Sequence, residues 1–275
     1  MTAGDPAIGL FGPESLSWRI DRELIVLAGG SCALLMQAAH PAVAMAVVDH
    51  STYASDPFGR LMRTLTSSFD VVFGDRRTAQ AAIRRINAIH AKVRGRMPDG
   101  EGTYSALDPH ALLWVHATLV DTALRIYGRF VHPLGEADEQ AYHAESARVA
   151  LLLGVPEDML PSTIGELRGW MGDCMVDATI RVTPQARRVA RTVLYPVPGV
   201  PRTIMTAAHL VSLSTLPEGL RRQYGVGWSP ARERGVERLA RFSRGVLPLL
   251  PSVVRDAPQA RAAQRRVRQS PGLTR

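Results

Sequence analysis

Apolar residues in this sequence recur three and four positions apart over most of its length, and they rarely alternate one for one with polar residues. A period near 3.6 belongs to an α-helix with one face against a core, whereas a half-buried strand needs a period of two. The chain is therefore expected to be all-α. The pattern predicts helices over 15–27, 31–39, 42–49, 58–72, 76–96, 109–130, 136–153, 163–180, 184–194, 202–213, 218–224 and 231–247. Punctuation agrees with several of these. Asp56-Pro57 and Asp108-Pro109 each offer an N-cap followed by proline at the first helical position. Ser162, Thr163 and Glu166 suit a capping box.

With 275 residues, 46% of them hydrophobic, the chain can bury one large core. It is read as a single all-helical domain over 1–275, with a core region at 15–195, C-terminal helices at 202–250 and a flexible basic tail at 255–275. The proline-rich run from Tyr195 to Pro201 is the clearest break, read as a rigid turn within one fold. Residues 29–48 form the longest apolar stretch, but Gln37, His40 and Pro41 interrupt it, which favours core helices over a membrane span. Two cysteines make no disulfide framework, and no basic start followed by an apolar run marks a secretion signal, so a reducing cytoplasm is expected.

The formal charge of +8 rests on 33 basic residues, of which only Lys92 is not arginine. They are spread over most helices with few aromatics between them, a pattern that disfavours nucleic acid as a partner. The tail is the exception, with six arginines from Arg255 to Arg275 against the single acid Asp256. It reads as a frayed terminus, removable without loss of folding, or as a weak contact for anionic lipid or an acidic partner. No zinc, di-iron, phosphate-loop or nucleophile-elbow pattern is present.

Three histidines fall where a ligand would. His90 shares a stripe with Ala79, Ala82, Ile83, Ile86, Ile89, Val93 and Met97, so it faces inward. His116 shares one with Leu112, Leu113, Leu119, Val120 and Ala123. His40 precedes Pro41 at a break between apolar helices. A buried imidazole needs a hydrogen-bond partner or a metal, and periodicity leaves both open for each of them. Arg60, Arg63 and Thr64 lie three and four apart beside an apolar stripe. They are either a solvated face or a site for an anionic group.

The order of motifs narrows this. Ala39-His40-Pro41, His50-Ser51, Asp56-Pro57-x-Gly59-Arg60-x-x-Arg63-Thr64, Phe73-Gly74, Ile89-His90-Ala91-x-Val93-x-Gly95, Tyr104-x-Ala106-x-Asp108-Pro109 and Trp114-Val115-His116-Ala117-Thr118-Leu119 follow one another. Together they resemble the family that groups bacterial latex-clearing protein, a rubber oxygenase, with the fungal oxygenase of the mycophenolic-acid pathway. The resemblance is densest over 24–134 and thin after Pro196.

That resemblance implies a globin-like multi-helix bundle enclosing a haem b pocket, and cleavage of an isoprenoid double bond with dioxygen. Arg60, Arg63 and Thr64 match the family's Arg-x-x-Lys-Thr motif, and His90, thirty residues after Arg60, matches its proximal iron ligand. Arg60, Arg63, Thr64 and His40 are the expected catalytic residues. His90, Arg60 and His116 are the expected haem contacts, with His90 on the metal. Two departures stand out. The motif's lysine is Arg63 here, and no glutamate occupies 42–48, where the rubber enzyme carries a catalytic carboxylate; His40, Asp49 and His50 are the nearest polar substitutes. The expected substrate is accordingly small and apolar rather than polymeric rubber. A non-catalytic haem or apolar-ligand sensor is the alternative. A homodimer is one option that the sequence leaves open.

Overall fold

A computed structural model describes residues 7–52, 55–97, 102–194 and 201–270. The described residues are almost wholly helical. In chain order they form α1 (Leu16–Asp21), a 3-10 helix (Leu24–Gly29), α2 (Gly30–Ala38), α3 (Pro41–His50), α4 (Pro57–Phe73), α5 (Arg76–His90), β1 (Arg94–Arg96) and β2 (Thr103–Ser105). Then come α6 (Pro109–Phe130), α7 (Glu136–Leu152), α8 (Ile164–Val176), α9 (Pro184–Val193), α10 (Arg202–Thr215) and α11 (Glu218–Tyr224). The chain closes with α12 (Pro230–Val246), α13 (Ser252–Arg255) and α14 (Pro258–Arg268). The two strands pair antiparallel, Gly95 opposite Tyr104. The predicted turn at Tyr195–Pro201 lies, up to residue 200, outside the described residues.

The caps read from sequence form as expected because they are local. Asp56 accepts from the Gly59 amide and Asp108 from that of Ala111, and Thr163 and Glu166 make a reciprocal capping box. α6 is the spine. Trp114, Leu113, Leu124, Ile126 and Phe130 are fully buried along it, and α1, α2, α7, α8, α10 and α12 pack around it. Its one buried carboxylate, Asp121, pairs with Arg125 at 2.6 Å and with Arg168 at 3.0 Å.

α2 and α3 meet at an angle of 107° inside this core. No single helix among the described residues is long and apolar enough to cross a membrane. α2 ends in the core, so its last carbonyls cannot reach water. Trp114 Nε1 donates to the Met36 carbonyl at 2.9 Å and the Tyr224 hydroxyl to that of Leu35 at 2.8 Å. The Arg181 amide donates to the Ala39 carbonyl at 2.8 Å.

Three expectations are corrected. The helix expected over 76–96 stops at His90, and residues 94–96 turn back as β1. The helix expected over 15–27 is broken at Glu23, whose backbone is extended and bridges Asp256. The third concerns the supposedly flexible tail. α14 lays Ala260, Ala263 and Val267 against Phe11, Trp18, Phe69 and Phe73. Arg266 donates to the carbonyls of Ala7 at 3.0 Å and Phe73 at 2.6 Å. Arg255 grips Glu23, a fully buried carboxylate, at 2.6–2.9 Å through two nitrogens. The tail's apolar stripe is two alanines and a valine, too weak to read from sequence, and its first arginine is a core ion-pair partner.

Removing one member of a buried ion pair strands the other. Arg255→Ala is therefore expected to lower unfolding stability by on the order of 3 kcal/mol, seen as a lower denaturant midpoint. A midpoint within error of the parent would show that Glu23 is not held by Arg255.

Candidate functional site

α4 and α5 form an antiparallel hairpin joined at Gly74 and Asp75. Arg85 spans it, reaching Ser67 and Asp70 at 3.2 Å each. This register sets His90 level with 62–65 of α4, with Arg60 about one turn beyond. Val71 packs on Ala82 and Ile83. Ser67, Thr64 and Arg60 step back from Val71 along that same face by four, three and four residues. The open end of the hairpin thus gathers Arg60, Thr64 and His90, residues that the sequence singles out.

Their electrostatics are incomplete. Arg60 is half-buried; burial and then the charge of Arg63 push its pKa below the ordinary arginine value. No carboxylate pairs with it among the described residues. His90 is also half-buried, burial lowers its pKa, and its Nδ1 is buried with no hydrogen-bond partner. Thr64 donates to the Arg60 carbonyl at 3.0 Å and is exposed. Arg63 turns outward to Asp56 at 3.0 Å and Thr52 at 2.8 Å. Phe58 and Met62 on α4 and Ile89 on α5 are 50%, 40% and 55% exposed; Phe58 and Met62, two residues from Arg60, lie on the opposite face of α4 from Arg60 and Thr64. Ile89 therefore leaves the stripe the sequence assigns it.

The carboxylate and imidazole nearest the departure at 42–48 are already occupied. The Tyr104 hydroxyl donates to Asp49 at 2.5 Å and lies 3.1 Å from His50 Nε2, which is also 3.2 Å from the Arg94 carbonyl. Burial, then Asp49, pushes the Tyr104 hydroxyl up to about 12. A side chain at Gly95 would collide with that hydroxyl, a Cβ there lying 2.4 Å from it. These residues lock the β-hairpin onto the end of α3.

His40 and His116 stand elsewhere. His40 sits 8% exposed at the bend between α2 and α3, its ring 5.9 Å from that of His110. His110 lies 5.1 Å from the Trp170 ring and 3.7 Å from Cys174 Sγ. Burial first, and His110 second, hold His40 down at about 4, and its Nδ1 has no partner. His116 is likewise lowered to about 4, by burial and then by His143, and its Nε2 has no partner. His143 bonds the Pro161 carbonyl at 2.9 Å. Leu119, expected beside His116 in the core, is 51% exposed. No ring contact or hydrogen bond joins His90, His40 and His116 to one another among the described residues.

Sequence reasoning missed His110, Trp170, Cys174 and Asn87. Trp170 and Cys174 are four apart on α8, a signal that they share a face, but which helix they meet is not written locally. Among the described residues no group of three or more His, Cys, Asp or Glu could hold a metal ion.

A family model described as "ER-bound oxygenase mpaB/B'/Rubber oxygenase, catalytic domain" matches residues 18–245. The chain belongs to this family. No curated protein and no solved structure matches it. The span of this oxygenase family runs from within α1 to near the end of α12, so it contains the hairpin and all three histidines. It stops short of α13 and α14, which carry Arg255 and the helix that covers Trp18 and Phe73.

The low pKa of His40 gives the oxygenase domain an acid-sensitive limb. Unfolded, the imidazole binds a proton near pH 6.5; folded, it does so only near 4. Between these values the unfolded state holds more protons, so stability falls as pH drops from 6.5 to 4. Asp21, raised to about 7 by burial, slopes the other way, adding stability as pH falls through 7. Comparing His40→Gln with its parent cancels Asp21. Between pH 7 and pH 5 the parent is expected to lose about 2 kcal/mol that the variant keeps. Parallel losses in thermal or denaturant melts would mean that His40 titrates as it does in water.

Proposed function

We propose that this chain is a haem-dependent oxygenase acting on a small apolar substrate, with His90 as the axial ligand of the iron. One observation carries the reading: an imidazole nitrogen without a partner and a guanidinium without a carboxylate, among the described residues, sit at one end of the same helical hairpin. A tetrapyrrole brings four nitrogen ligands of its own, so it needs one axial protein ligand and a cation for its propionates. That fits a site with one lone imidazole better than it fits a bare metal ion. Haem, when bound, supplies the dioxygen and electron-transfer chemistry.

The rest falls to the chain. Neutral His90 offers a ring nitrogen, and its lowered pKa keeps that nitrogen unprotonated at neutral pH. Arg60 stays protonated despite its burial and would pair with a propionate. Ile89, exposed beside His90 on the last turn of α5, would give the group and an apolar substrate an apolar contact. Thr64, with its hydroxyl already given to Arg60, fixes the local helix turn. His40 and His116 are the other candidates for the axial or a distal role.

A binding or sensing role without turnover is the second reading, and a specific observation favours it. Arg63 is tied outward to Asp56, and Asp49 and His50 are engaged by Tyr104. Of the polar groups nearest the position of the family's catalytic carboxylate, Asp49 and His50 are therefore engaged, and His40 Nδ1 keeps no partner among the described residues. Consumption of an alkene under air separates oxygenase from sensor.

Haemin titration tests the site itself. His90→Ala is expected to abolish or greatly weaken the Soret band, with partial return on adding imidazole, while His116→Ala and His40→Ala keep it. Arg60→Ala is expected to weaken haemin binding by roughly ten- to a hundredfold, the equivalent of about 1.5–3 kcal/mol for a charged contact, whereas exposed Arg77→Ala leaves it unchanged. An unaltered spectrum in His90→Ala moves the axial role to His116 or His40.

A further inference from the structure

Asn87 stands three residues before His90 on the last turns of α5. That spacing sets two side chains together on one helix face, with Cβ atoms about 5–6 Å apart. Each residue carries a buried polar atom with no partner, Asn87 Oδ1 and His90 Nδ1. The amide oxygen can only accept, and the ring nitrogen carries a proton in one of the two neutral tautomers.

The orientation of the amide is set from the other side. Asn87 Nδ2 donates at 2.9 Å to the carbonyl of Leu152, the last residue of α7. A helix-end carbonyl lacks an intrahelical donor and can only accept. The amide nitrogen must therefore face α7, and the oxygen is left on the opposite side. α7 thus fixes a hydrogen-bond acceptor within one turn of an imidazole that needs one.

We propose that Asn87 Oδ1 accepts the Nδ1 proton of His90 through a small turn of the imidazole about its side-chain torsions, and so holds His90 in the tautomer whose Nε2 is bare. The inference rests on the proposed role of His90 and sharpens it. Which ring nitrogen keeps the proton is decided by the bond its neighbour makes, and an imidazole free in water prefers the opposite tautomer. Asn87 is then a positioning residue: it touches neither iron nor substrate, yet it decides which nitrogen can bind. Partners of this kind both orient a ligating histidine and raise its basicity.

The test needs no turnover. Two-bond nitrogen–proton spectra of the apoprotein, recorded above the titration of the ring, identify the His90 tautomer. Asn87→Leu keeps the shape and loses the acceptor; Asn87→Asp keeps an acceptor. Both lose the bond to Leu152, so a difference between them reads the acceptor together with its charge, and the neutral parent shows the acceptor without that charge. The parent and Asn87→Asp are expected to carry the proton on Nδ1, and Asn87→Leu on Nε2. Haemin affinity is expected to fall about tenfold or more in Asn87→Leu and to be largely restored in Asn87→Asp. The ferrous iron–imidazole stretching frequency drops in Asn87→Leu for the same reason. A parent already protonated on Nε2, or an Asn87→Leu protein with the parental tautomer, overturns the proposal while leaving haem binding by His90 intact. Haemin that ignores His90, with the tautomer still following Asn87, overturns the proposed function and leaves the hydrogen bond standing. Should Asn87→Leu not fold, the tautomer of the parent decides the matter.

Discussion

A helix that ends inside an apolar core leaves carbonyl oxygens that water cannot reach, and the whole bundle is organised around meeting that demand at the end of α2. The donors come from three separate parts of the chain, Trp114 on α6, Tyr224 at the end of α11 and the Arg181 amide before α9. The Leu35 and Met36 carbonyls also share the Ala39 amide, so Tyr224 and Trp114 add a second donor to each, while Arg181 supplies a donor to the Ala39 carbonyl. This explains why α9 and α11 sit where they do, far along the chain yet against α2. It also explains how a histidine comes to be buried at the bend: His40 lies at the residue where the helix direction changes, with the tilted ring of His110 beside it.

The hairpin of α4 and α5 obeys the opposite logic. Its inner part is closed by Phe69, Phe73 and Val71, while its outer part is left short of partners. Lone polar groups persist in a fold when something else over-determines the structure around them. Here the anchor is double. Phe69 and Phe73 pin α4 to Trp18, and Arg85 with Asn87 ties α5 to α4 and α7. The open end can then hold a guanidinium without a carboxylate and an imidazole Nδ1 without a partner among the described residues, and it is that end which carries the oxygenase reading.

Much of this was legible in the sequence, for reasons of range. Asp56, Asp108 and Thr163 cap their helices through atoms three residues away, so their patterns are complete in one stretch of text. The inward set of α6 follows from its own period. The end of α5 was not legible, because Val93 and Met97 continue the helical spacing even though the chain turns at Ala91 to build a hairpin around Tyr104. Nor was the break at Glu23, since nothing near Glu23 announces a partner on the far side of the sequence. At the site, the motif located Arg60 and His90, but the unpartnered state of their side chains is a property of the packed molecule. Asn87 carries no local signal at all; its importance comes from one carbonyl at the end of α7.

The pairing of Glu23 with Arg255 spans 232 residues. On a ribosome the carboxylate is made early, and its cation emerges only after all of the oxygenase domain has been synthesised. Until then the buried Glu23 carboxylate, next after α1, has among the described residues only Arg22, at 3.8 Å, as a cation beside it. Trp18, which α1 carries, packs in the same cluster as Ala260, Ala263 and Val267 of α14, so that contact too joins chain segments made far apart. The matching oxygenase segment ends before Arg255, so a chain stopped at that boundary would hold every residue of the candidate site and still lack the contact that shuts its N-terminal side.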